Sequence, residues 1–122
     1  MKIRVLLVDD HVILRQGLRM SLESYSDIEV VGEAGDGKEA LELAERLMPE
    51  VIIMDIHMPN MNGIQATSAI KSRPPGMKIV GLSTSADADF ESVMLHAGAE
   101  TLLSKVADTG ELHRAIRQAL PR

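Results

Sequence analysis

With 122 residues the chain is sized for one domain, and a formal net charge of −5 with one Phe, one Tyr and no Trp leaves neither a basic field nor stacking platforms for nucleic acid. Cysteine is absent, which excludes a disulfide framework, a thiolate metal site and a cysteine nucleophile, and fits a reducing, cytoplasmic setting. The opening MKIRVLLVDD carries an apolar stretch far too short for a signal-peptide core or a membrane span, so a single domain over residues 1–122, off the membrane and unable alone to bind DNA, is expected.

The first element is VLLV, Val5 to Val8, a continuous apolar run of the kind that suits a strand covered on both faces. It ends abruptly in Asp9 and Asp10, which either cap the next helix or begin a site at the carboxyl edge of a sheet. HVILRQGLRMSLESY follows as a helix, with Leu14, Leu18 and Leu22 in register and Ile13, Gly17 and Met20 on the adjoining flank. IEVVGEA reads as a short strand. GDGKEALELAERLMP reads as a helix with Asp36 and Glu39 in a capping-box pattern, an apolar face of Ala40, Leu41, Leu43, Ala44 and Leu47, and Pro49 as its stop.

EVIIMD repeats the pattern of the first strand: an apolar run that terminates in acid, here Asp55. After the turn-rich HMPNMNG comes a helix with Ile64, Thr67 and Ile70 in register, broken by RPPG. MKIVGLS is a strand ending in Ser83, and DADFESVMLHAG a helix with a stripe of Phe90, Val93, Met94 and Ala97 that Gly98 stops. TLLSK is a last strand ending near Lys105. DTGELHRAIRQALP is a last helix, with Asp108 and Glu111 in a second capping-box pattern and Leu112, Ala115, Ile116, Ala119 and Leu120 on its apolar face. The eight methionines read as core fillers.

Strand and helix thus alternate five times, which implies an α/β fold: a doubly wound, five-stranded parallel sheet of the flavodoxin-like class with right-handed crossovers. Every polar strand end then lies on one rim. Asp9, Asp10, Asp55, Ser83 and Lys105 collect there. Two carboxylates about 4 Å apart repel by roughly 4 kcal/mol at an effective dielectric near 20, so three converging acids call for a cation. An all-oxygen donor set favours Mg²⁺, which keeps several waters and leaves room for a phosphoryl group. An oxygen of Asp55 is then placed to attack phosphorus, with Lys105 balancing the new charge and Ser83 donating to a phosphoryl oxygen. Taken singly, Lys105 is an ordinary surface lysine, Ser83 a turn residue and His57 a loop side chain; it is their joint placement at successive strand ends that points to chemistry.

Through VLLVDDH, VIIMDIHMPNMNG, IVGLS and LLSK the chain resembles the receiver domain of two-component response regulators, over residues 3 to 120. The resemblance implies that Asp55 accepts a phosphoryl group from a sensor histidine kinase. It also implies that Asp10, Asp55 and the main-chain carbonyl of His57 ligate Mg²⁺, that Asp9 binds it through water, that Ser83 is the switch hydroxyl and that Lys105 binds the phosphoryl group. DDHVILRQGLRMSLE is similar to the NarL/LuxR branch, in which His follows the acid pair and Arg-x-Gly-Leu follows in the first helix. That branch implies a DNA-binding output domain, which residues 1–122 do not hold, control of transcription through it, and homodimerisation on phosphorylation through the first and fifth helices. A stand-alone single-domain regulator or phosphorelay module is the alternative organisation.

Three positions depart from the common receiver pattern: Leu102 where many carry an aromatic residue, Val106 where a proline often follows the lysine, and Gly81 where the strand normally holds a larger side chain. Two other classes compete. A phosphohydrolase using an aspartyl phosphate needs a second acid two residues after the nucleophile, and that position is His57. A nucleotide or flavin module needs a glycine-rich loop after the first strand, where Asp9 and Asp10 stand instead.

Overall fold

The computed structural model describes residues 2–73, 76–84 and 88–120. The expected proline break at Pro74 and Pro75, and residues 85–87 at the expected start of the fourth helix, lie outside them. Strands β1 (Ile3–Val8), β2 (Ile28–Ala34), β3 (Val51–Asp55), β4 (Lys78–Ser83) and β5 (Thr101–Ser104) alternate with helices α1 (Val12–Glu23), α2 (Gly37–Leu47), α3 (Gly63–Lys71), α4 (Ala88–Ala97) and α5 (Thr109–Ala119). The strands form one sheet in the order β2-β1-β3-β4-β5, and every neighbouring pair is parallel.

Continuous apolar runs become central strands because successive side chains point to opposite faces and both faces are covered. Leu6, Val8, Ile52, Met54 and Ile79 enter one core layer, which also holds Ala40 and Ala44 of α2, Ala66 and Ile70 of α3 and Met94 of α4. Val5, Leu7, Ile53 and Val80 enter the other, with Leu22 of α1 and Leu112 and Ile116 of α5. The sheet is therefore doubly wound, as the alternation of elements implies. Its register aligns Val8 with Met54, Asp55 with Leu82 and Ser83 with Ser104, so the polar residues that end β1, β3, β4 and β5 emerge at one edge.

The helix readings need three corrections. Ile13 and Met20 on α1 are 85% and 77% exposed, so the flank beside Leu14, Leu18 and Leu22 faces solvent. Val93 is likewise exposed, while its neighbour Met94 fills the core beneath α4 and Phe90 packs against it. The reciprocal capping box belongs to α3: Asn62 accepts from the Gln65 amide at 2.9 Å while Gln65 accepts from the Asn62 amide at 3.1 Å. At α2, Asp36 does cap the Glu39 amide at 2.8 Å, but the Glu39 carboxylate turns to the amide of Gly35 at 2.7 Å. Asp108 caps the Glu111 amide at 2.7 Å in α5. An acid three residues past the cap satisfies the pattern in sequence, yet the loop before the helix decides which amide it reaches. The methionine reading holds at Met54, Met77 and Met94, which are buried, and fails at Met20 and Met48, which are exposed.

Candidate functional site: an acidic pocket at the carboxyl edge of the sheet

Asp55 is the last residue of β3 and is fully buried, and Asp9, just beyond β1, is 1% exposed. Burying a carboxylate is costly unless a counter-charge meets it. Lys105 supplies one: its Nζ lies 3.0 Å from Asp55 Oδ2 and 3.2 Å from Asp9 Oδ2, with only 7% of the side chain exposed. Among the described residues neither oxygen receives a well-directed hydrogen bond, although both are buried. The other oxygens are held by backbone. Asp55 Oδ1 accepts from the His57 amide at 3.1 Å, and Asp9 Oδ1 accepts from the His11 amide at 2.8 Å.

Burial pushes the Asp55 carboxyl above the ordinary carboxylate range; Lys105 and the His57 amide pull it down, and the charge of Asp9 adds to the rise. For Lys105 burial works to lower the value, but the Asp55 and Asp9 carboxylates outweigh it and hold the ammonium above the usual lysine range. The pocket thus keeps a lysine charged between two acids.

The sequence-derived residues meet where the strand ends implied. Asp9, Asp10 and Asp55 converge, and Lys105 bridges the two buried acids. Ser83 is fully buried at the end of β4, and its carbonyl accepts from the Lys105 amide at 2.9 Å. The His57 ring stands edge-on to Phe90 with centroids 5.1 Å apart. Asp10, Ile56, His57, Met58, Asn62, Ile64 and Phe90 line an open depression beside the acids. Neither Asp9 nor Asp10 caps α1, whose N-cap is His11 with no side-chain capping bond. The helix-capping reading of the acid pair is therefore set aside.

Two residues that the sequence reading used only as marks of the branch, His11 and Arg15, reach the pocket. His11 places Nδ1 3.1 Å from Asp9 Oδ1 and 3.3 Å from Asp10 Oδ1. Arg15 donates from Nη1 to the Asp9 carbonyl at 2.5 Å and pairs through Nε with Glu33 at 2.8 Å, tying the end of β1 to α1 and β2. Both lie in the DDHVILRQGL stretch, so their identity was visible while their direction was not.

Ligand atoms of Asp9, Asp10, His11 and Asp55 all lie within 4.8 Å of one another. Three carboxylates on one rim, two of them with buried oxygens that no protein donor satisfies well, fit a hard divalent cation such as Mg²⁺.

The profile of the response regulator receiver domain matches residues 5–117. The chain belongs to the response regulator receiver family. This receiver domain is 45% identical over 117 residues to the transcriptional regulatory protein LiaR of Bacillus subtilis, covering 96% of this chain and 56% of that protein. It is 37% identical to DegU of Brevibacillus brevis, covering 95% of this chain and 49% of that one. The receiver domain thus spans about half the length of the curated relatives it matches. Among solved structures it superposes on the receiver domain of the putative regulator NarL from Mycobacterium tuberculosis with a TM-score of 0.92 at 32% identity, covering 96% of this chain and 94% of that one. Against the response regulator domain of Thermotoga maritima CheB the TM-score is 0.89 at 38% identity, over 98% and 96% of the two chains. Its relatives place it in the NarL/LuxR-type branch with the flavodoxin-like receiver fold. Receiver domains are signalling domains that generally bind Mg²⁺ at this acidic pocket. No helix among the described residues is long and apolar enough to cross a membrane.

Proposed function

We propose that Asp55 is the phosphoacceptor of this receiver domain and that residues 1–122 act as the phosphorylation-controlled half of a longer, DNA-binding regulator. The observation that carries this reading is the Lys105 ammonium seated 3.0 Å from Asp55 and 3.2 Å from Asp9 at the carboxyl edge of the sheet. The proposed donor is the phosphohistidine of a sensor kinase. A carboxylate oxygen of Asp55 attacks phosphorus, the phosphorus–nitrogen bond to the kinase imidazole breaks, and an acyl phosphate forms while the imidazole nitrogen takes up a proton. Asp9, Asp10, Asp55 and the His57 carbonyl would hold Mg²⁺, which would supply charge neutralisation for the transferring phosphoryl group.

The chain's own groups prepare the site. The His57 amide on Oδ1 orients the Asp55 carboxylate, and burial excludes water from it. Lys105, already on Oδ2, is in place to follow charge onto the phosphoryl group. Ser83, buried at the neighbouring strand end, is the switch hydroxyl, and its movement toward the phosphoryl group is the signal. Water attacking phosphorus then breaks the bond from phosphorus to the Asp55 oxygen, releasing inorganic phosphate and returning the carboxylate, which makes the domain self-resetting rather than a metabolic enzyme. Homodimerisation through α1 and α5, DNA binding through an output domain outside residues 1–122 and action in the cytoplasm complete the proposal.

Intact-mass measurement with a small phosphodonor and Mg²⁺ tests it. The parent is expected to gain one phosphoryl group and Asp55→Asn none, because an amide is a poor nucleophile and a weaker metal ligand. Labelling of Asp55→Asn at the parent's rate would overturn the assignment.

A further inference from the structure

We infer that His11 adds a nitrogen donor to the acidic pocket and thereby raises its preference for late first-row divalent ions such as Zn²⁺ and Ni²⁺ over Mg²⁺. The inference rests on the reading of the pocket as a divalent-cation site and concerns what this chain's own side chains add to it. His11 occupies the N-cap position of α1, where Ser, Thr, Asp or Asn would bond the first helical amides, yet it makes no capping bond. Its imidazole instead lies over the acids, Nδ1 standing 3.1 Å from Asp9 Oδ1 and 3.3 Å from Asp10 Oδ1.

That nitrogen and one oxygen from each of Asp9, Asp10 and Asp55 fall within 4.8 Å of one another, so an ion with bonds of about 2.0–2.2 Å would have to draw them somewhat closer. Beneath them, Asp9 Oδ2 and Asp55 Oδ2 are buried and meet the Lys105 ammonium at 3.2 and 3.0 Å, with no well-directed hydrogen bond from the described residues. An all-oxygen site suits Mg²⁺, which dehydrates reluctantly and gains little from imidazole. Zinc and nickel gain from imidazole, and at mixed nitrogen and oxygen donors their affinity exceeds that of the lighter ions. An ion anchored by His11 would also occupy the carboxylate oxygens assigned to Mg²⁺, so the two classes compete for one pocket.

The other imidazoles serve as internal controls. His113 is engaged with Asp27 at 2.8 Å and stacked on Tyr25, His96 lies exposed in the last turn of α4, and His57 faces Phe90.

Calorimetric titration of the chelator-stripped 122-residue chain with Zn²⁺, Ni²⁺ and Mg²⁺, in the parent, His11→Gln and Asp10→Asn, provides the test. The ratio of zinc to magnesium affinity is expected to fall about tenfold or more in His11→Gln, the scale at which even outer partners of a metal ligand count. Long-range proton–nitrogen NMR spectra are expected to show Zn²⁺ shifting the ring nitrogens of His11, with those of His57, His96 and His113 unmoved. A zinc to magnesium ratio unchanged in His11→Gln, or Zn²⁺ shifting the ring of His57 or His96 in place of His11, would overturn the inference while leaving the cation site intact. A parent that binds no Mg²⁺ and in which Asp10→Asn changes no metal affinity would overturn the cation site itself.

Discussion

Asp55 is the residue at which burial and charge contend. Because its folded-state pKa is raised above the unfolded value, ionising it costs the apo domain stability, a cost absent at low pH that grows as the pH climbs through the unfolded and then the folded value. Asp55→Asn, studied in chelator, is therefore expected to melt above the parent at neutral pH, with the gain vanishing on acidification below the ordinary carboxylate range. Thermal melts at pH 7 and in strong acid decide it; a pH-independent difference would contradict the burial argument. Gly63 is the backbone counterpart. A Cβ there would stand 2.1 Å from the Asp55 carbonyl oxygen and 2.7 Å from the Ile56 Cα, contacts with main chain that no side-chain rotation relieves. Gly63→Ala is expected to cost about 1–3 kcal/mol and to slow Asp55 phosphorylation with it, as read by urea unfolding and labelling rate. A variant of parental stability would show that the β3–α3 junction tolerates a larger residue than its geometry allows.

Among the elements, α3 depends most on its start, because it is short and begins beside the site. Its capping box satisfies two orphan amides reciprocally, and Asn62→Ala should cost about 1 kcal/mol of unfolding free energy. Asp108→Ala at α5 provides the comparison, since Asp108 makes a single capping bond. Equal stability of Asn62→Ala and parent in urea would mean that water replaces the cap without loss. The β4 and β5 departures from the common receiver pattern also resolve at this scale. Gly81 pairs with Leu102 across the strands, and a Cβ on Gly81 would meet Leu102 Cδ1 at 2.8 Å and Met94 Cε at 2.8 Å. Two exceptions that looked independent in the sequence are one packing arrangement, in which Leu102 and Met94 fill the space a larger residue would take. Leu102 is only 5% exposed, so the fifth strand carries no exposed ring to report the state of the pocket.

For the whole molecule, the sheet brings three acids together around one lysine, and an added cation relieves the negative charge that Lys105 leaves. Anything bound by the folded state alone stabilises it, by about 2.7 kcal/mol at a ligand concentration a hundredfold above its dissociation constant. Millimolar Mg²⁺ is accordingly expected to raise the melting temperature of the parent, and Asp10→Asn to reduce that shift while melting above the parent in chelator, because one of three clustered acids is gone. Scanning calorimetry with and without Mg²⁺ checks both halves. A parent indifferent to Mg²⁺ would count against the pocket.

The alternation of apolar runs with helical stripes was legible in the chain, because a strand buried on both faces has no polar positions and a helix buried on one has them at fixed spacing. That Asp9, Asp55, Ser83 and Lys105 share a rim was legible for the same reason: parallel strands put all their carboxyl ends on one edge. Only the tertiary structure decided what depends on direction across the sheet. Among those matters are the seating of Lys105 between two buried acids, the turning of His11 onto them instead of onto α1, the hold of Arg15 on the Asp9 carbonyl and the exposure of Ile13, Met20 and Val93. Residue type and spacing set which face a side chain occupies, whereas its partner is set by the element packed opposite, and that element is distant in sequence.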